Sequence, residues 1–276
     1  MSRTLRLACV QLNAQEDFDA NIAACSGFIR QAAAAGAELI ATPENTGCMQ
    51  PSSDRVLAAG RSEAEHPALA AYRALAAELG RWLSIGSLWI REGDEPRIRN
   101  RQFLIRPDGT IAARYDKIHM FDVDLANGES YRESKSFAPG ALARTVDTPW
   151  GLIGLTICYD VRFPHLYRRL GQAGAALISI PAAFTRTTGM AHWHVLQRAR
   201  AIETGAFVFA AAQCGEHPGK RRTYGHSLIV DPWGQVLADG GEEPGFIVAD
   251  LDLAKVAEAR GNVPAWKADR DFELAP

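Results

Sequence analysis

The chain has 276 residues, is 47% hydrophobic and 22% charged, and carries a formal net charge of −2, the profile of a folded globular protein. So small a net charge argues against a nucleic-acid or membrane-surface partner, and no stretch approaches the roughly 18 uninterrupted apolar residues of a membrane helix. The opening MSRTLRLACVQLN does not read as a signal peptide, because its apolar run is short and breaks at Gln11.

In chain order, residues 5–11 alternate apolar and polar and predict a strand. Residues 21–35 have helical periodicity with Gly36 as a stop. Residues 38–41 predict a short buried strand running into Pro43-Glu44. Residues 67–80 predict a helix with Pro in its first turn and Gly at its end. Strands are expected over 82–90, 103–105 and 111–115, the last two joined by a turn at Pro107-Asp108-Gly109. The second half predicts a strand over 152–157, a helix over 164–171, a buried strand over 176–180, a helix over 192–203 and a strand over 207–211. A hairpin follows, 226–230 and 235–238 around Asp231-Pro232-Trp233-Gly234, then a strand over 246–250. This mixture of α and β elements favours layered sheets covered by helices. No low-complexity linker divides the chain, so one domain is expected over residues 1–276, with a tail from about 262.

Five cysteines are present, at irregular spacing and without Cys-x-x-Cys. That argues against zinc or redox motifs and for free thiols in the cytoplasm. Cys158 stands apart, because it lies between a buried strand and a helix opened by Pro164. Strand ends facing helix N-termini are where α/β folds place chemistry. Unpaired N–H groups there can favour a thiolate and a developing oxyanion. The pattern leaves a second reading open, a small buried core residue. Cys9 and Cys25 fall on core positions, Cys214 on a core or pocket-rim position, and Cys48 near Glu44 with no chemical role assigned.

A thiol nucleophile needs a base. His165 follows Cys158 onto the next helix. His192 and His194 are two apart, on different faces of a helix, which suits no shared metal. His119 and His226 have no carboxylate partner evident from the sequence. A carboxylate can substitute. Glu44, in TPENTG, follows a buried strand where partial desolvation is expected to raise its pKa and let it accept a thiol or water proton. Lys117, in YDKIHMFD, could bring a positive charge, and Glu133 follows in YRESKSF. Each of these alone is a weak signal and reads more readily as a solvated loop charge.

Taken together, these residues resemble the nitrilase superfamily, the carbon–nitrogen hydrolases. TPENT, RYDKIHMFD and LTICYDVRFP occur in the family's order, accompanied by GESYRESKSFAPG, AHWHVLQRARAIE and YGHSLIVDPWG. The resemblance runs from about Leu5 to about Lys267. It implies an α/β fold in four layers, an α-β-β-α sandwich around two central mixed sheets. It implies Glu44 as general base and acid, Cys158 as nucleophile through a thioester, and Lys117 with the Tyr159 N–H as oxyanion donors. Glu133 would orient Lys117 and substrate. No cofactor and no metal are implied.

Within the superfamily, ARAIE, AAAQCGEHPGKRRTYGHS and VDPWG are similar to the amidases acting on deaminated glutathione. FDVDLANGESYRES resembles the ω-amidases, which act on α-ketoglutaramate. Nitrile and N-carbamoyl hydrolysis on the same residues are further alternatives, and a catalytically silent binding protein is the alternative from another class. Two departures from the pattern, Met190 in place of proline and the stretch from Asn45 to Met49 in place of an aromatic-rich loop, are expected to flank the pocket. The basic run Lys220-Arg221-Arg222 suits a substrate carboxylate. The partners implied are a small amide and further copies of this chain in a homo-oligomer, with Trp266 burying in a partner or in its own subunit.

Overall fold

The computed structural model describes residues 4–125 and 128–275. The first three residues of the opening stretch, Ala126 and Asn127 of FDVDLANGESYRES, and Pro276 lie outside them.

The chain opens with β1 (Thr4–Gln11), α1 (Phe18–Ala34), β2 (Leu39–Ala41), α2 (Ser53–Ala59), α3 (Pro67–Leu79) and β3 (Trp82–Ile90). It continues through β4 (Arg99–Ile105), β5 (Ile111–Asp116), β6 (Asp122–Asp124), β7 (Ser130–Arg132), β8 (Arg144–Thr148) and β9 (Gly151–Leu155). After a 3-10 turn (Cys158–Arg162) come α4 (Pro164–Gln172), β10 (Leu177–Ser179), α5 (Arg186–Thr204), β11 (Phe207–Ala210), β12 (Cys214–Glu216) and β13 (Arg222–Tyr224). The last elements are β14 (Leu228–Val230), β15 (Val236–Asp239), β16 (Gly245–Asp252) and α6 (Ala254–Asn262).

Two six-stranded mixed sheets result, in the orders β16-β1-β2-β3-β4-β5 and β15-β14-β11-β10-β9-β8. The period-two pattern of β1 decides the layering. Leu5, Leu7 and Cys9 point between the sheets, where they meet Ile153, Leu155 and Leu177 of the second sheet. Ala8 and Val10 point the other way, onto Cys25 and Ile29 of α1 and Leu69 and Tyr72 of α3. On the second sheet, Tyr167 of α4 and Trp193 of α5 are fully buried in the same manner. The fold is a four-layer α-β-β-α sandwich.

Local signals explain most boundaries. Gly80 ends α3 in the left-handed conformation at φ 61°, as a helix-terminal glycine does. Helix α1 begins at Phe18, three residues before the predicted start, because the Asp17 carboxylate caps the Ala20 N–H at 2.8 Å. Strand β4 begins at Arg99, four residues before the predicted start. Its first half is polar in sequence yet buried at Asn100, Arg101 and Gln102. The 226–230 strand starts only at Leu228, and His226 stands outside it at φ 52°. Trp266 packs in its own subunit, with the Arg260 guanidinium 4.8 Å above its ring.

Candidate active site

Four chain segments converge at one end of the sandwich. Glu44 follows β2 in a turn that Asn45 completes at φ 59°. Thr46 Oγ1 donates to Pro43 O at 2.6 Å, and Gln213 Nε2 to Glu44 O at 2.9 Å. Gly86 in β3 makes this possible. A Cβ there would lie 2.2 Å from Thr42 O and 2.3 Å from Pro43 O, so only glycine lets the strand approach so closely. Lys117 follows β5, and Glu133 opens a 3-10 turn after β7.

Cys158 is the first residue of its 3-10 turn, held at φ 48° with its N–H on Pro181 O at 2.9 Å. Left-handed backbone is costly for a non-glycine residue and must be imposed by its surroundings. Asp160, two residues on and fully buried, ties the turn down. One of its oxygens accepts from Ile157 N at 2.9 Å and Tyr115 Oη at 2.7 Å. The other meets His119 N at 3.0 Å and His119 Nδ1 at 2.7 Å. His119 therefore has a carboxylate partner that is 41 residues away in sequence.

The buried charges form a chain. Lys117 Nζ donates to Glu44 Oε1 at 2.9 Å and to both oxygens of Glu133 at 2.8 Å. Asn100 Nδ2 adds a 2.9 Å bond to Glu44 Oε1, and the Ala183 N–H a 2.8 Å bond to Glu44 Oε2. The Phe121 N–H holds Glu133 Oε2 at 2.6 Å. The Cys158 thiol lines the same cleft as the Glu44 carboxylate, and the two groups act on each other's protonation.

Burial pushes against the charged form of Glu44, but the Lys117 cation, its hydrogen bond and the Arg221 charge outweigh it and hold Glu44 below its ordinary value. Burial would depress Lys117 likewise, yet Glu133 and Glu44 raise it. Burial and the Glu44 charge push the Cys158 thiol well up, against the pull of Lys117. The resting site therefore holds a carboxylate, an ammonium and a protonated thiol together.

These groups open into a cleft of about 550 Å³, lined also by Tyr131, Thr188 and the basic run Lys220, Arg221 and Arg222. Arg221 Nη2 donates to Ala183 O at 2.7 Å, its guanidinium lies 5.5 Å above the Tyr131 ring, and its buried Nε has no partner among the described residues. Asn45 and Met49 line the cleft. Cys48 packs away from it, against Trp89, Ile98 and Phe137. Met190 does not flank the cleft as expected. It projects from the first turns of α5 and is 68% exposed, while Thr188, two residues earlier, faces in. Cys9 and Cys25 are core residues, and burial pushes the Cys25 thiol to about 12. Cys214 is also buried and does not line the cleft.

The Carbon-nitrogen hydrolase family matches residues 6–261. The deaminated glutathione amidase of Bos taurus is 42% identical over 270 residues, covering 96% of this chain and 81% of the relative. The human omega-amidase NIT2 is 36% identical over 268 residues, covering 97% and 95%. The crystal structure of the C. elegans NitFhit protein superposes with a TM-score of 0.90 at 35% identity, over 98% of this chain and 66% of that one. A family match across nearly the whole chain, relatives of this identity and the shared sandwich leave one assignment: the chain belongs to the carbon-nitrogen hydrolase family.

Proposed function

We propose that the protein hydrolyses a small amide bearing a carboxylate, through a thioester on Cys158. The observation that carries this is the buried 2.9 Å pairing of Glu44 with Lys117 in the cleft that Cys158 also lines.

The Glu44 carboxylate takes the thiol proton as the sulfur attacks the amide carbonyl carbon. The carbonyl π pair moves onto oxygen, and that oxyanion is held by Lys117 Nζ and the Tyr159 N–H. Tyr159 lies in the first turn of the 3-10 segment, where N–H groups have no intrahelical partner. As the carbonyl re-forms, the C–N bond breaks and Glu44 returns the proton to the leaving nitrogen, which departs as ammonia or an amine. Glu44 then takes a proton from water, the hydroxyl attacks the thioester, and the acid leaves with Cys158 as thiol. Glu133 keeps Lys117 charged and oriented throughout.

For the substrate, the 42% identity to a deaminated glutathione amidase favours that compound. The 36% identity to an omega-amidase supports ω-amides such as α-ketoglutaramate as the second reading. Both carry a carboxylate, and the Arg221 guanidinium lining the cleft supports its recognition. Initial rates of acid formation from both compounds on one preparation discriminate them, and activity confined to nitriles rejects both. Cys158→Ala tests the chemistry: loss of turnover is expected, and surviving turnover refutes the nucleophile.

The proposal includes self-association and a cytoplasmic location. Val195 and Ile202 of α5 are 65% and 54% exposed, beside Trp233 at 63%, which supports a surface covered by a second copy. The five cysteines are all free and buried, in keeping with a reducing compartment. Among the described residues, no helix is long and apolar enough to cross a membrane.

A further inference from the structure

On the surface, away from the residues lining the cleft, three side chains converge from different elements. His194 comes from α5, His226 from the bend before β14 and Asp239 from the end of β15. Asp239 Oδ2 lies 2.9 Å from His194 Nε2, and Asp239 Oδ1 lies 2.9 Å from His226 Nδ1. One ligating atom from each residue lies within 4.8 Å of the other two.

The cluster is held rather than loosely arranged. His226 sits at φ 52°. Its N–H donates to Gly241 O at 2.6 Å, its carbonyl accepts from Trp193 Nε1 at 2.7 Å, and its ring stacks on Tyr224 at 4.4 Å. Asp239 Oδ1 accepts a further bond, from the Gly241 N–H at 2.9 Å. The side chains are nevertheless open on one side, at 34% for His194, 20% for His226 and 36% for Asp239.

The geometry points to a surface site for a divalent first-row transition ion of the zinc class, bound by His194 Nε2, His226 Nδ1 and Asp239 and completed by water. Two imidazoles and one carboxylate suit Zn²⁺, Co²⁺ or Ni²⁺, whereas Ca²⁺ and Mg²⁺ prefer an all-oxygen shell. Four tetrahedral ligands at about 2.0–2.2 Å from an ion lie roughly 3.4 Å from one another, so the two imidazole nitrogens draw closer while the 2.9 Å contacts with Asp239 open slightly. On binding, the proton that each imidazole donates to Asp239 leaves the ligating nitrogen, and the neutral ring carries its single proton on the other one, Nδ1 of His194 and Nε2 of His226, any second proton passing to solvent. Asp239 turns a lone pair from the two N–H groups to the ion. The site clamps α5 to the β13–β15 region and touches no reacting atom.

The test uses the full chain without a histidine tag, as Cys158→Ala so that the cleft thiol cannot bind the ion. After chelation and dialysis, calorimetric titration with Zn²⁺ and Co²⁺ should show one site per chain, with no comparable response to Ca²⁺ or Mg²⁺. Zn²⁺ at a hundredfold excess over its dissociation constant should raise the thermal midpoint by roughly 5 °C or more. His194→Ala, Asp239→Asn and His226→Asn should each weaken binding at least tenfold. Asparagine is the choice at 226 because it tolerates the left-handed backbone. Cooperative unfolding of each variant without metal shows that the loss is not misfolding. Absence of binding, or binding unchanged in all three cooperative variants, overturns the site. So does an equal response to Ca²⁺, which would mark a nonspecific acidic surface.

Discussion

Glu44 Oε1 and Lys117 Nζ lie 2.9 Å apart, with only 3% and 2% of their side chains exposed. The Lys117 ammonium is shared with Glu133 on its other side. Burying one cation between two carboxylates leaves a net negative charge beside the thiol. The arrangement is stable because Asn100, Ala183 and Phe121 donate to the remaining carboxylate lone pairs.

Glu44→Gln keeps the shape of the site but removes the proposed base. We expect kcat to fall by about 10²–10⁴-fold, the usual range for a positioned general base, with cooperative unfolding retained. Steady-state turnover and urea denaturation of the same preparation check this, and full activity in the variant would falsify the base assignment.

The acid limb of kcat/KM should lie below pH 4.5, the ordinary value of the glutamate that the site depresses. The same shift sets a stability window. Folded Glu44 binds fewer protons than the unfolded chain, so its contribution is present above 4.5 and lost as pH falls through its lower folded value. Lys117 is raised above its ordinary 10.5, so its contribution is present below 10.5 and lost as pH rises through its higher folded value. Lys117→Met removes the cation and should move the acid limb upward, because burial then acts on Glu44 unopposed by its largest partner. A pH–rate profile with an unmoved limb would count against Lys117 as the source of the depression.

Arg221→Ala should lower kcat/KM by about 10–100-fold for a carboxylate-bearing amide, the worth of one or two hydrogen bonds to a charged group. A neutral amide of similar size should lose far less. Parallel kinetics on the two substrates make the comparison, and equal losses would reassign Arg221 to the folding of the loop.

Gly86→Ala drives a methyl group into the Thr42 and Pro43 carbonyls. Overpacking of this kind costs about 1–3 kcal/mol, and the relief is displacement of the segment carrying Glu44. A shift of about 1 Å can cost about a hundredfold in rate. We therefore expect turnover to drop by more than the stability loss explains, read as kcat measured well below the melting midpoint.

Much of the fold was legible because its signals are local. The alternation in β1, the Pro67 and Gly80 ends of α3 and the Asp108-Gly109 turn are written within a few residues. Elements with ambiguous local patterns are not predicted by the sequence: the seven-residue α2, the three-residue β6, β7, β12 and β13, the edge strand β8, the helix α6 and the polar start of β4. In β4, tertiary contacts supply the partners that its polar residues lack in sequence, as when Gln102 Nε2 donates to Ser179 Oγ at 2.7 Å from the opposite sheet.

By itself, the sequence determined the order of the principal strands and helices, the residue types available for chemistry and, through its family pattern, which cysteine, glutamates and lysine stand out as candidates. Only the tertiary structure decided their relations. It set Glu44 against Lys117 73 residues away, gave His119 to Asp160, turned Met190 out of the cleft and Arg221 into it, and gathered His194, His226 and Asp239 on another face. Periodicity and turn chemistry act over a few residues, whereas burial, pKa and contact geometry are set by whatever the two packed sheets bring together.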